Sequence, residues 1–305
     1  RLHLPRLLSR IESQRLDEVE AEVVIVDSGS TDDTLEIAKR CPLVRITHIR
    51  KEDFSFGRSL NVGCEFARGD FLVFVSGHCI PASDRWLHEL VEPLRAGAVQ
   101  YSYGRQIGAE TTKFSEKQLF AKYFPDHSLI PQDGFFCNNA NAAIPKEVWD
   151  RYRFDESRTG LEDLELARRI VDDGGAVGYV AEAPVHHIHD ESWGQVRHRY
   201  EREAIAMQRI APNLHVTLLD SGRFLASAVL HDASRAIEEK TLLRNLPGIV
   251  AFRAMQYFGT YKGNRDHRKL SHDMKLRYYY PTSQHHPEHP HDDEVPGARR
   301  RSSAL

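Results

Sequence analysis

The sequence predicts an α/β protein: a mostly parallel sheet with helices on both faces, followed by a C-terminal helical extension. Three observations carry that expectation. The apolar runs at 21–27 (AEVVIVD) and 70–76 (DFLVFVS) have the length and polar ending of strands covered on both faces. Amphipathic segments alternate with such runs over the first hundred residues, as parallel strands joined by crossover helices do. Beyond residue 219 strand signals stop and two long helical segments follow.

In order, Leu4, Leu7, Leu8 and Ile11 repeat at helical spacing and open the chain with a helix. Residues 21–27 form a strand, and Ser30 and Thr31 cap a helix ending near Lys39. Residues 43–49 read as a strand, 58–67 as a helix stopped by Gly69, and 70–76 as a strand. Ser83 caps a helix to about Arg95, and 99–103 is a short strand. Residues 105–135 show no clear period. A strand at 138–144 leads to a helix opened by Pro145. The helix at 161–173 carries an apolar stripe of Leu164, Ala167 and Val171 and ends at Gly174-Gly175. A strand at 176–181 and a helix from Ser192 to about Ile210 complete this part. Two helices between 221 and 262 separate near Pro247-Gly248. The expected division is an α/β domain at 1–218, a basic helical extension at 219–281 and a disordered His/Pro-rich tail at 282–305.

Composition narrows the function classes. The chain has 305 residues, 41% hydrophobic and 28% charged, which excludes a collagenous, wholly disordered or membrane-spanning protein. A net charge of −3 offers no bulk attraction to nucleic acid. Cys41, Cys64, Cys79 and Cys137 are irregularly spaced and form no CxxC pair, which fits a reducing, cytoplasmic compartment. Arg1-Leu2-His3-Leu4-Pro5 has no signal-peptide pattern, and without an initiator Met the chain reads as an excised piece. Residues 221–281 hold 11 Lys/Arg against 5 Asp/Glu, with Phe252, Met255, Tyr257, Phe258 and Tyr261 among the basic residues. Such a segment suits peripheral contact with an anionic membrane face, and equally a packing helix with a solvated basic edge.

In doubly wound sheets ligands gather beyond the carboxyl ends of the strands, so the turns after 21–27 and 70–76 should face one crevice. The first turn begins Asp27-Ser28-Gly29-Ser30-Thr31-Asp32-Asp33-Thr34, whose carboxylate and hydroxyls suit a ribose or base and equally suit a turn and helix cap. Gly57-Arg58-Ser59-Leu60-Asn61-Val62-Gly63 follows. The second turn is Ser76-Gly77-His78-Cys79-Ile80-Pro81. Glu162 and Asp163, in Gly160-Leu161-Glu162-Asp163-Leu164-Glu165, stand where a helix starts, which explains carboxylates by the dipole alone and also offers a general base. His186-His187-Ile188-His189-Asp190 alternates two imidazoles that can share one ion or anchor a loop. Asn138, Asn139, Asn141, Trp149 and Tyr152 mark a region able to line an acceptor pocket.

Taken in order over about residues 1–210, these motifs resemble those of the family 2 glycosyltransferases, inverting nucleotide-sugar enzymes of the GT-A fold. The DSGSTD form and residues 54–63 lean towards rhamnosyltransferase-like members. The resemblance implies transfer of a sugar from a nucleotide-diphosphate donor to a glycan or lipid-linked acceptor in surface-polysaccharide synthesis, at the inner face of the cell membrane. It implies Asp163 as catalytic base with Glu162 second, and Asp27, Ser28, Ser30, Arg58, Asn61, Ser76 and Gly77 against the nucleotide sugar. It further implies a divalent metal, Mn²⁺ or Mg²⁺, at His78, His187 and His189. The departures are specific. Ser28 replaces a second Asp, Leu60 stands where Arg is common, and the family's first strand is missing ahead of Leu4. The D-x-D metal motif is replaced by Ser76-Gly77-His78; His78 can act as a metal ligand or, protonated, meet the diphosphate directly. That loss also opens an alternative, a catalytically inactive nucleotide- or glycan-binding module. A metal hydrolase built on His187, His189 and Asp190 lacks any HExxH-type motif.

Overall fold

The computed structural model describes residues 2–265, apart from 17, 18, 212, 214 and 215. The expected tail at 282–305 and the end of the extension lie outside these residues. The elements run α1 (Leu4–Glu12), β1 (Val23–Asp27), α2 (Thr34–Lys39), β2 (Val44–His48), α3 (Phe56–Phe66), β3 (Phe71–Val75), β4 (Cys79–Pro81) and α4 (Trp86–Arg95). They continue with β5 (Tyr101–Gly108), α5 (Phe114–Tyr123), β6 (Asn141–Pro145), α6 (Lys146–Tyr152), α7 (Glu162–Asp172) and β7 (Val177–His187). Three long helices close the described chain: α8 (Trp193–Ile210), α9 (Leu218–Glu238) and α10 (Leu242–Arg265).

Most elements fall where apolar period and caps put them. Ser55 accepts from the Arg58 amide and starts α3, and Ser192 with Gln195 forms a capping box on α8. Three expectations change. α2 begins at Thr34 with Asp33 at its N-cap, so neither Ser30 nor Thr31 caps it. The aperiodic 105–135 segment holds the second half of β5 and all of α5. The last two helices part at Lys240, not at Pro247, which lies within α10. Lys240 takes φ 57° and the Thr241 amide reaches back to the Ala236 carbonyl, the geometry of a left-handed helix terminus.

The α/β class with helices on both faces holds, but the pairing is more mixed than a mostly parallel sheet. β1 and β2 form a parallel pair of their own. The larger sheet has the order β3-β6-β5-β7-β4, in which only β5 and β7 run parallel. An apolar run reads the same in either direction, so patterning could not give the sense of β6 as it enters between β3 and β5. β1 is half-buried rather than covered, and β1 and β3 belong to separate sheets. Residues of both strands instead line a cleft of about 2150 Å³ that runs on to the histidines and carboxylates described below.

Two apolar layers sandwich the larger sheet. On one face Leu72, Phe74, Tyr101, Ile144 and Tyr179 pack with Cys64 of α3, Trp149 of α6 and Leu166 and Ile170 of α7. On the other, Ile80, Ala143, Val180 and Val185 pack against Leu7 and Ile11 of α1 and Trp86, Leu90 and Leu94 of α4. β7 changes face midway: Val180 pairs with Gly104 but Val185 with Gln106, three extra residues in β7. An odd insertion reverses which side chains point to which layer. Asn141 plugs this irregularity, donating to the carbonyls of Ala183 (2.8 Å) and Arg105 (3.2 Å) while accepting from Trp86 Nε1 (2.8 Å). Gly104 is required there, since a Cβ would overlap Asn141 and the Ala183 carbonyl.

The helical extension is docked, not free. α10 crosses α8 closely enough that a Cβ on Gly259 would overlap the Arg197 carbonyl. Arg253 of α10 forms a buried ion pair with Asp232 of α9 (2.7 Å). Phe252 and Arg253, in the basic, aromatic segment read from sequence as either membrane-facing or packing, are interior.

Candidate active site

β4 and β7 pair antiparallel with Cys79 opposite His187, so the turn Ser76-Gly77-His78 that enters β4 is carried over the end of β7. The His78 carbonyl accepts from the Ile188 amide and locks the two segments together. His78, His187 and His189 meet there: ring centroids lie 4.0 Å apart for His187–His189, 4.8 Å for His78–His187 and 5.6 Å for His78–His189. A ring nitrogen from each falls within 4.8 Å of the others. His186 points elsewhere along the strand and is not among them.

Burial, then the neighbouring His189, pushes the His78 pKa down to about 4. Burial holds His187 well below its usual value, with His189 and His78 adding to the effect. Both shifts favour the neutral imidazole over the imidazolium. Neutral imidazoles present lone pairs, and Nε2 of His187 is buried with no hydrogen-bond partner among the described residues. An orphaned lone pair facing two further imidazoles fits a bound divalent cation.

Glu162 and Asp163 open α7, and both are buried and line the same cleft. Leu161 before them takes a left-handed φ of 57°, which turns the chain sharply into the helix. One Asp163 oxygen accepts from the Asn139 amide (2.8 Å) and the other from the Leu164 amide (2.7 Å). Glu162 leaves Oε2 buried and unpartnered among the described residues. Burial, reinforced by the Asp163 charge, pushes the Glu162 pKa up to about 8. Burial also raises Asp163, although the Asn139 and Leu164 amides oppose the rise. The helix dipole, which would lower both, is outweighed by desolvation. Arg202 of α8, stacked over Phe56 at 5.1 Å, lines the cleft and partly offsets the Glu162 shift.

The residues expected against the nucleotide are scattered differently. Asp27 ends β1 buried, its carboxylate accepting from the amides of Gly29 (3.0 Å) and Ser30 (3.1 Å). Burial raises its pKa, but hydrogen bonds from Ser30, Gly29 and His48 prevail and hold it low. Asp27 therefore organises the turn that presents Ser28 and Ser30. Arg58 is exposed on α3. Ser76 sits beside His78, with Oγ 3.0 Å from Nδ1, and Ser76 and Gly77 line the cleft.

Asn61 is corrected outright. Its Nδ2 donates to the Phe154 carbonyl (3.0 Å) and Glu156 (3.0 Å), while Oδ1 accepts from Trp149 Nε1 (3.1 Å) and the Phe154 amide (3.1 Å). It is 4% exposed and holds α3 to residues 149–156, with no donor or acceptor left for a nucleotide. Trp149 and Asn141 are likewise core residues and cannot line an acceptor pocket. Sequence reading missed Gln106, Glu116 and Arg199, which surround the histidines. Gln106 and Glu116 come from segments some 70–80 residues before His187 and His189, Arg199 from the helix that follows them, and nothing local marks any of the three.

A mixed sheet sandwiched by helices, with carboxylates and imidazoles gathered at one cleft, defines a glycosyltransferase fold of the GT-A type. The chain is similar to a mannosyltransferase from Pyrobaculum calidifontis in complex with GDP-Man and Mn²⁺ (TM-score 0.59, 16% identity, 88% of this chain and 84% of that one). It is similar also to GalNAc-T7 with UDP, GalNAc and Mn²⁺ (TM-score 0.50, 17% identity, 74% of this chain and 51% of that one). Residues 2–153 match the family model for glycosyl transferase family 2, and the chain belongs to that family. Among curated relatives, the O-antigen chain rhamnosyltransferase RfbN of Salmonella typhimurium is 25% identical over 64% of this chain and 65% of its own length. WbaN of Salmonella anatum, also an O-antigen chain rhamnosyltransferase, is 28% identical over 59% of this chain. The chain spans 60% of WbaN, less than two thirds of either relative.

Proposed function

We propose that this protein transfers a sugar, with inversion at the anomeric carbon, from a nucleotide-diphosphate donor to a hydroxyl of a glycan or lipid-linked acceptor in surface-glycan assembly. The observation that carries this reading is the buried Glu162–Asp163 pair facing the same cleft as the three histidines, within a family 2 domain. The names of the Salmonella relatives favour a deoxyhexosyl donor such as a rhamnosyl nucleotide.

Asp163 is the proposed base. Two backbone amides orient its carboxylate, and burial raises its affinity for the proton that the acceptor hydroxyl gives up as it attacks. Glu162, the second candidate, competes for that proton across the shared site. Asp27, which also braces its own turn, with Ser28, Ser30 and Arg58 would meet the nucleotide, and Ser76 and Gly77 would lie near the diphosphate. A cation held by His78, His187 and His189 would supply positive charge to the departing nucleotide diphosphate.

The test is transfer and donor hydrolysis over a panel of UDP-, GDP- and dTDP-sugars. Asp163→Asn should lower turnover about 10²- to 10⁴-fold with nucleotide binding intact by calorimetry. Nucleotide binding without turnover for any donor and acceptor would favour the inactive binding module instead.

We also infer a peripheral contact with an anionic bilayer. Leu219, Leu230 and Ile237 stand at helical spacings on one side of α9, and Leu243, Leu246 and Val250 on one side of α10; all are exposed. Exposed Arg223, Lys240 and Arg244 lie among them, the charge that an anionic headgroup layer complements. No helix among the described residues is long and apolar enough to cross a membrane.

A further inference from the structure

Two of the three imidazoles are oriented by groups that the proposed chemistry does not itself use. Gln106 Oε1 lies 2.7 Å from His187 Nδ1, and Gln106 Nε2 donates to Asn138 Oδ1 at 3.0 Å. Asn138 Oδ1 also accepts from the Ala140 amide (3.0 Å), so it is the acceptor and Gln106 cannot be turned over. Oε1 therefore accepts, His187 carries its proton on Nδ1, and the buried, unpartnered Nε2 is a bare lone pair. Glu116 Oε1 does the same for His189, 2.7 Å from Nδ1. Ser76 Oγ lies 3.0 Å from Nδ1 of His78. His187 and His189 are thus tied through Nδ1, and fixing one ring nitrogen selects the other for a metal, while Ser76 Oγ, also 3.4 Å from Nε2 of His78, holds that ring without choosing its tautomer.

A second, oxygen-rich grouping of Glu116, His189 and Glu191 adjoins this one. It already holds a cation: Arg199 donates to Glu116 (2.6 Å) and to Glu191 (2.7 Å) from within the protein. Glu116 Oε1 and Glu191 are thereby engaged by a guanidinium, while Glu116 Oε2 stays buried with no hydrogen-bond partner among the described residues. The donors beside the cleft are three imidazole nitrogens and at most one carboxylate oxygen, a set dominated by nitrogen.

We propose that His78, His187 and His189 form a preformed tri-imidazole site for a borderline first-row cation such as Zn²⁺ or Co²⁺, with Mg²⁺ excluded, and that Gln106 and Glu116 are its positioning residues. The inference rests on the reading of this cluster as the metal site of the proposed transferase, and it names which cation that site takes. Imidazole donors favour Zn, Co and Ni over Mn, while Mg²⁺ needs oxygen ligands in near-octahedral array. Three histidines with a remaining open position are a donor set that zinc uses when another ligand must enter.

The experiment uses the full chain stripped with chelator. Co²⁺ is titrated while its visible d–d absorption is recorded, and Zn²⁺, Mn²⁺ and Mg²⁺ are then added as competitors. The expected result is a saturable Co²⁺ band, displaced by Zn²⁺, displaced weakly by Mn²⁺ and unaffected by excess Mg²⁺. His187→Ala should abolish the band; His78→Ala, on a turn, does so where the first variant fails to fold. Glu116→Gln and Gln106→Leu should weaken Co²⁺ about 10- to 100-fold and shift the d–d band of the metal that still binds, a change that a purely structural loss would not produce. Absence of the band, equal competition by Mg²⁺, or unchanged affinity in both positioning variants overturns the proposal. A tight Co²⁺ site without sugar transfer would sink the transferase reading and keep this one. Transfer supported by Mg²⁺ at this site would do the reverse.

Discussion

Asn61→Ala separates a structural bracket from a ligand contact. Removing the amide strands the buried Trp149 Nε1–H and the Phe154 N–H, and takes a donor from the Phe154 carbonyl. Each buried group left unpaired costs roughly 1–3 kcal/mol. The Glu156 contact is partly exposed and adds little. Three orphaned groups therefore amount to roughly 3–9 kcal/mol, a large share of the stability of an ordinary domain. Urea unfolding should show the midpoint falling with the slope unchanged, because the surface exposed on unfolding is the same. Calorimetry with UDP, GDP and dTDP on the folded fraction should show unchanged affinity. A loss below about 1 kcal/mol together with a tenfold weaker nucleotide would refute the bracket and restore Asn61 to the nucleotide site.

Further outcomes follow from the same geometry. The raised Glu162 pKa means the folded state binds a proton that the unfolded state releases, so stability should fall as pH rises from about 4.5 towards 8; Glu162→Gln should flatten that slope in denaturation measured across the range. The transfer rate should rise over the upper part of the same interval, as the carboxylate pair loses its shared proton, and a rate independent of pH between 6 and 8 (about the interval set by a pKa near 8) would contradict Asp163 as base. Gly104→Ala should cost about 2–4 kcal/mol in urea unfolding, since the new methyl group displaces Asn141 from the β7 irregularity. Leu230→Glu with Leu243→Glu should abolish co-flotation with anionic vesicles and move the melting temperature little, both side chains being 71% and 93% exposed.

Much of this protein was legible in its residues. Apolar runs and caps located β1, β3, α3, α7 and α8 within a few positions, because buried strands and capped helix starts are local properties. Asp27, Ser76-Gly77-His78, Glu162-Asp163 and His187-Ile188-His189 could be singled out because each is a compact polar motif at an element boundary, where ligand-facing turns occur. What such motifs do with their hydrogen bonds was not legible. Asn61 has a side chain suited to a nucleotide, yet it clamps Trp149 and Phe154, and only the packed neighbours decide that. The direction of β6 and the three-residue irregularity in β7 were equally hidden, since hydrophobic pattern carries no polarity and no partner register. That irregularity opposes Gln106 to Val185, two residues before His187, and so brings together side chains some 80 positions apart. Sequence by itself determined the class of fold and the presence of the carboxylate pair and the imidazoles. Tertiary structure alone decided their protonation and their orientation, because burial and a second hydrogen-bonding partner exist only once the chain is packed.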